Sequence, residues 1–233
     1  MTDGRTDADR GGDGRGRRLP YGDDETAVFV RDVVSVVAIV AAVALVLFAV
    51  SGIWPPFVAV ESGSMEPNVH TGDLVFVVQE ERFVGDDPVA ETGIVPIENS
   101  RGGDERLGRA GDVIVFQPNG NPSKTPVIHR AYFWVEDGEN WIRTSANPAY
   151  TYNRPCAEIE SCPAPHDGFI TKGDASGVYD QIGGNEPKTT VVRPGWIVGK
   201  AMVRIPWLGN VRLLLESLLG LSVVGPVAMT TLR

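Results

Sequence analysis

Cysteine is nearly absent from this chain: of its 233 residues only two are cysteines, Cys156 and Cys162, and only three are histidines. Neither cysteine belongs to a CxxC pair or sits beside a group of histidines, which excludes the usual zinc spacings, and nothing else in the pattern asks for a metal or cofactor. If their Pro-rich segment lies outside the cell, the two close a short loop as a disulfide; otherwise they are free thiols. Basic charge is scarce as well. A formal net charge of −9 and an isoelectric point near 4.9 exclude a nucleic-acid partner, because a phosphate-binding surface needs a basic excess. Helical periodicity is missing from the middle of the chain, and no internal repeat is present. At 42 % hydrophobic and 22 % charged, the chain is neither disordered throughout nor a many-span membrane protein. Its length suits one ordinary domain with appendages.

Residues 1–26 are rich in Gly, Asp and Arg and cannot bury enough apolar surface to offset their ordering entropy, so they are expected to be a disordered tail. From residue 33 to 50 the chain is apolar but for Ser35. With the residues up to Trp54 this run reaches about 20 residues, enough to cross a bilayer core of roughly 30 Å. Pro55 and Pro56 then stop the helix. A cleaved signal peptide is the competing interpretation, but its apolar core is shorter and ends at small residues rather than Trp-Pro-Pro. The sequence therefore predicts a transmembrane anchor over residues 27–54. Six arginines precede the apolar run that begins at residue 33 and Arg82 is the first basic residue after it, so the positive-inside rule puts the N-terminus in the cytoplasm and residues 55–207 outside.

Short runs rich in Val, Ile and aromatics predict strands at residues 74–78, 113–116, 127–134, 141–144, 168–172 and 196–203, bounded by Gly-Asp, Pro-Asn-Gly and Asp-Gly turns. Residues 79–109 and 145–167 interrupt them and are expected to be surface insertions. Residues 213–232, mostly apolar with Glu216 and Pro226 inside, predict either a second span or a helix lying in the membrane interface, within an apolar C-terminal segment 208–233.

Between the span and the first of these strands lies Ser62-Gly63-Ser64-Met65-Glu66-Pro67, closed by Gly72-Asp73. Ser64 is suitably placed for a nucleophile, but a serine needs a neighbouring base. His70 lies in the following loop and His166 in the Pro-rich insertion, with no evident role for either. His129, in Val-Ile-His-Arg, falls inside a strand, where it is a satisfied core residue or a base aimed into a cleft. Asp174, in Thr-Lys-Gly-Asp, and Asp180 beyond it offer a carboxylate that either caps a turn or orients the imidazole. Lys172 is a competing base.

Taken together, these three ordered boxes behind an anchor resemble the type I signal peptidases, over residues 33–203 apart from the two insertions. Bacterial members use a Ser-Lys dyad, whereas the archaeal and endoplasmic-reticulum branch has histidine at that position, as here at His129. The acidic composition points to a salt-loving archaeal source. The resemblance implies a mainly β catalytic domain behind an N-terminal transmembrane helix, with Ser64 as nucleophile and His129 as general base. Asp180 would be the partner of the histidine and Asp174 a required or structural aspartate. The family's usual Asn after Gly-Asp is Ala175 here, which leaves the choice of aspartate open. Ser62 and the backbone amide of Ser64 would form the oxyanion hole. The implied substrates are signal-peptide-bearing preproteins with small residues near the cut. The implied partners are the lipid bilayer and, further, the protein-export machinery. Two other functions compete. One is a self-cleaving repressor-type protease, disfavoured by the span and the lack of a DNA-binding segment. The other is a non-catalytic anchored β-domain serving as a subunit of an export or processing complex.

Overall fold

A computed structural model describes residues 23–102, 105–183 and 188–219. The expected disorder of residues 1–22 and most of the apolar tail beyond residue 219 lie outside the described residues. The chain divides into two units, residues 1–44 and 45–233. Helix α1 (Asp23–Ser51) forms the described part of the first and opens the second. It starts four residues before the expected anchor boundary, inside the segment expected to be disordered. Thr26–Ser51, 26 residues long, is apolar enough to cross a membrane and spans about 39 Å at 1.5 Å per residue. Gly52, at φ +79°, ends it by donating its N–H to Phe48 O at 2.7 Å, the usual use of a left-handed glycine at a helix C-terminus. Arg82 supplies a second cap, its guanidinium donating to the carbonyls of Ala49 and Val50.

The second unit is built on a six-stranded antiparallel sheet. Its strands are β1 (Phe57–Ala59), β2 (Leu74–Val78), β5 (Val113–Phe116), β6 (Val127–Val135), β7 (Gly168–Lys172) and β8 (Ile197–Ile205), in spatial order β1-β2-β8-β5-β6-β7. A separate two-stranded ribbon pairs β3 (Glu105–Arg106) with β4 (Arg109–Ala110). Strand β5 is buried along its whole length, and the period-two alternation sends its residues into different cores. Val113 and Val115 join Met65, Val69 and Val75 beneath the serine loop. Ile114 and Phe116 join Phe169 and Ile197 on the other side. A third cluster gathers Phe133, Trp141, Ile170 and Tyr179.

Several expectations are corrected. Residues 141–144 are not a strand but a single helical turn, α2 (Trp141–Thr144). β6 already has β5 and β7 as partners. Trp141 is instead drawn into the core, with Nε1 donating to Ser161 O at 2.7 Å and its ring against Phe133 and Tyr179. The β-propensity of Trp, Ile and Thr is overridden by this burial. Nor are the two interrupting segments confined to the surface. Ile94 and Val95 in the first, and Ile159, Cys162 and Ala164 in the second, are core residues. The first is pinned by buried Lys200, which donates to Gly93 O at 2.7 Å, and by Asp112, which accepts from Val95 N–H at 2.9 Å. Burial pushes the Lys200 ammonium down and the Asp112 carboxyl up, each partly offset by the other's charge. Cys156 and Cys162 form a disulfide. Strand β1 goes beyond the expected set, and β8 begins at Ile197, after a turn at Pro194–Trp196.

Candidate active site

The serine loop is held shut at its base. Val60 N–H donates to Asp73 O at 2.9 Å and Gly72 N–H to Val60 O at 2.8 Å. Inside the loop, Gly63–Met65 form one 3-10 turn, and the fully buried Met65 is the knob that anchors it. Ser64, next to that knob, stays partly exposed. Asp73 accepts from the amides of His70 at 2.9 Å and Trp207 at 3.0 Å and from Arg204 at 3.2 Å. Burial pushes its carboxyl up, but these donors outweigh it and hold the group below the ordinary carboxylate range. Gly72-Asp73 thus closes the loop and also docks the start of α3 (Leu208–Leu219), since Asn210 N–H donates to Gly72 O at 3.2 Å.

His129 enters from β6, paired in register with Ile114, and is 1 % exposed. Its Nε2 lies 2.9 Å from Ser64 Oγ and its Nδ1 2.6 Å from Asp180 Oδ2. A carboxylate can only accept, so Nδ1 carries the proton and Nε2 presents its lone pair to the Ser64 hydroxyl. Asp180 Oδ2 also accepts from Thr171 Oγ1 at 2.7 Å, and Lys188 Nζ stands 3.7 Å from Oδ1. The carboxylate is further fixed by its own backbone, where Asp180 N–H donates to Thr171 O at 2.9 Å. Ser62 Oγ lies 3.2 Å from Ser64 Oγ.

Asp174 faces elsewhere. It takes a two-pronged pair from Arg130, Nε to Oδ1 at 2.9 Å and Nη2 to Oδ2 at 2.7 Å, and a third bond from Asn68 Nδ2 at 2.8 Å. Burial raises its pKa, but the Arg130 and Asn68 hydrogen bonds and the charges of Arg130 and Arg109 prevail and keep it below the usual carboxylate range. Arg130 spends Nη1 on the carbonyls of Arg106 and Gly111, at 2.9 and 2.8 Å. Lys172 is no free base: its buried Nζ donates to Gly173 O at 2.9 Å and Ser176 O at 2.6 Å. His70 is exposed, with Nδ1 3.0 Å from Arg204 Nη1. His166 does have partners, packing edge-on against Trp196 with its Nδ1 2.9 Å from Asp167 O. Among the described residues no three His, Cys, Asp or Glu side chains form a metal-ligating group.

Ser64, His129 and Asp180 are therefore brought together in one line, and Asp174 is not part of it. Arg130, Asn68 and Thr171 are contributors that the sequence did not single out. Arg130 and Thr171 each lie inside a motif already noted, so adjacency was the available signal; Asn68 carried none.

The family described as "Signal peptidase, peptidase S26" matches residues 32–132. Curated relatives include the proteins named signal peptidase complex catalytic subunit SEC11C of Homo sapiens, Mus musculus and Canis lupus familiaris. Each is 25 % identical over 170 residues, covering 73 % of this chain and 62 % of the relative. The chain thus spans less than two thirds of the length of these relatives. Motif, histidine and relatives agree: over residues 32–132 the chain resembles the peptidase S26 signal peptidases, and over 170 residues it is similar to signal peptidase complex catalytic subunits.

Proposed function

We propose that this protein is a membrane-anchored serine endopeptidase that removes signal peptides from exported preproteins. The observation that carries the proposal is the Asp180–His129–Ser64 line, with contacts of 2.6 and 2.9 Å. In it, a buried base meets a serine that remains accessible.

Ser64 Oγ attacks the scissile carbonyl and gives its proton to His129 Nε2, while Asp180 stabilises the imidazolium. The negative oxygen is met by the Ser64 backbone N–H and the Ser62 hydroxyl, each such donor contributing on the order of 3 kcal/mol. The C–N bond breaks as His129 protonates the leaving amine, leaving an ester on Ser64. Water then attacks that ester, passing a proton to His129, which returns it to Ser64 as the C–O bond breaks. Asp174 has a supporting role, holding Arg130 and the serine loop.

The substrate binds as an extended strand beside an edge of the sheet, with small side chains near the cut. Strand β1, which ends the sheet and leads into the serine loop, offers such an edge. Residues 27–54 are the anchor and residues 55–207 the catalytic domain outside the membrane, with a cytoplasmic N-terminus, as the arginine asymmetry supports. The relatives are named as subunits of a complex, and work alongside other export components belongs to the proposal. The test is preprotein cleavage by membranes carrying equal amounts of the native chain or Ser64→Ala. Mature product is expected only with the native chain; equal cleavage by both overturns the proposal.

A further inference from the structure

Lys172 is a buried cation that the mechanism above does not use. It is 2 % exposed, and both hydrogen bonds of its ammonium lead to the turn that follows it. Its ammonium donates to Gly173 O at 2.9 Å and Ser176 O at 2.6 Å, bridging the carbonyls at the two ends of the 173–176 turn. It also lies 4.7 Å from the ring centre of Tyr150 and 5.4 Å from that of Tyr132. Tyr132 is the extra residue of the β6 bulge, where the register with β7 shifts between Ala131 and Phe133. Such bulges re-aim a side chain, and here the ring flanks the ammonium. Aromatic faces favour a cation in place of water.

That turn touches the reacting groups. Ala175 N–H donates to the carbonyl of Ser64 itself at 2.9 Å. A Cβ placed on Gly173 would stand 2.5 Å from Ser64 O and 2.9 Å from His129 Nε2. Position 173 therefore has to be glycine, and the turn fills the gap between nucleophile and base on their buried side. Asp174, on the same turn, is tied to Arg130 and Asn68. The turn is closed by its own backbone bond, Ser176 N–H to Gly173 O at 3.0 Å, and Lys172 reinforces it by tying the Gly173 carbonyl to that of Ser176.

We propose that Lys172 is a positioning residue for the nucleophile: its ammonium locks the Gly173–Ser176 turn, and the turn fixes Ser64 through the Ala175 N–H. This rests on the peptidase function proposed above. A neutral side chain of similar shape fills the volume but supplies neither the two donors nor the charge. Loss of the proton from Lys172 itself would weaken the same lock. Burial lowers the Lys172 pKa, helped by the charge of Arg109 and opposed by Asp174 and Asp180. Tyr132 and Tyr150 are the other titratable groups against it, and burial pushes Tyr132 up to about 12.

The test uses the full chain in membranes, with native, Ser64→Ala, Lys172→Met and Lys172→Arg forms assayed on a preprotein. Lys172→Met is expected to lower kcat by about 10- to 100-fold, the scale set by an ångström-sized misplacement, with KM changed far less. A native kcat in folded Lys172→Met overturns the inference. An alkaline fall in kcat is expected of the native chain; arginine stays charged at all working pH values, so Lys172→Arg is expected to lack it. Identical alkaline profiles overturn the inference even if Lys172→Met does not fold. Equal cleavage by the native chain and Ser64→Ala would instead remove the peptidase function, a separate outcome.

Discussion

Asp174 and Asp180 lie in one segment, and both carboxylates are buried, yet they belong to different parts of the molecule. Each pairs with one of two consecutive residues on β6: Asp180 with His129, Asp174 with Arg130. A strand sends consecutive side chains to opposite faces, so one step along β6 separates the proton-transfer line from its support. The partners differ in kind. Histidine changes charge in the range where proteins work, whereas arginine does not. In the proposed mechanism Asp180 therefore faces a group whose charge varies during the reaction, whereas Asp174 faces a permanent cation. The same residue type serves a changing charge on one side and a fixed framework on the other.

Asp180→Asn probes the changing side and should have the largest effect. It removes the charge that stabilises the imidazolium and offers His129 an amide, so kcat is expected to fall on the order of 10⁴-fold with folding retained. Preprotein cleavage kinetics alongside a melting curve measure this. The comparison breaks if Asp174→Asn costs as much kcat at unchanged stability.

On the fixed side the expected loss is stability. Asp174→Ala strands the buried Arg130 guanidinium, and removing one member of a buried pair costs about 3 to 5 kcal/mol. Denaturant unfolding in detergent reads this directly, and pairing the change with Arg130→Met should recover part of the loss. Acid sharpens the same point. The folded-state carboxyl of Asp174 is depressed, below its unfolded value of about 3.9. Its stabilisation is therefore fully present above that value and is lost only as pH falls through the depressed one. The stability gap between the native chain and Asp174→Asn should be flat near neutral pH and close only in strong acid. A gap that closes between pH 5 and 7 would mean that Asp174 does not carry it.

This division of labour was half legible in the sequence. Ser64 and His129 stand in local patterns, a turn before a strand and a histidine within one, and the central strands are continuous apolar runs. Strands 74–78, 113–116 and 168–172 have the expected bounds for that reason. Which aspartate meets the histidine depends on where the chain turns after β7, and no local pattern encodes that. The helical turn at Trp141 was hidden for a related cause. Its conformation is decided by Ser161 O and Tyr179, far along the chain, rather than by the propensity of four residues. Ile94 and Val95 looked like loop residues because each is an isolated anchor without periodicity.

Asn68 is the weakest link between the two sides, joining the serine loop to Asp174 by one bond of 2.8 Å across 106 residues of sequence. Asn68→Ala removes a neutral donor from a charged acceptor that keeps both prongs of Arg130. The expected cost is about 1.5 kcal/mol in unfolding free energy, well below that of Asp174→Ala. If the bond also steadies the loop, kcat should fall a few-fold while the pH profile stays as it is, because His129 and Asp180 are untouched. A changed pH profile would mean that the fixed framework reaches the proton-transfer line, and the separation along β6 would then be incomplete.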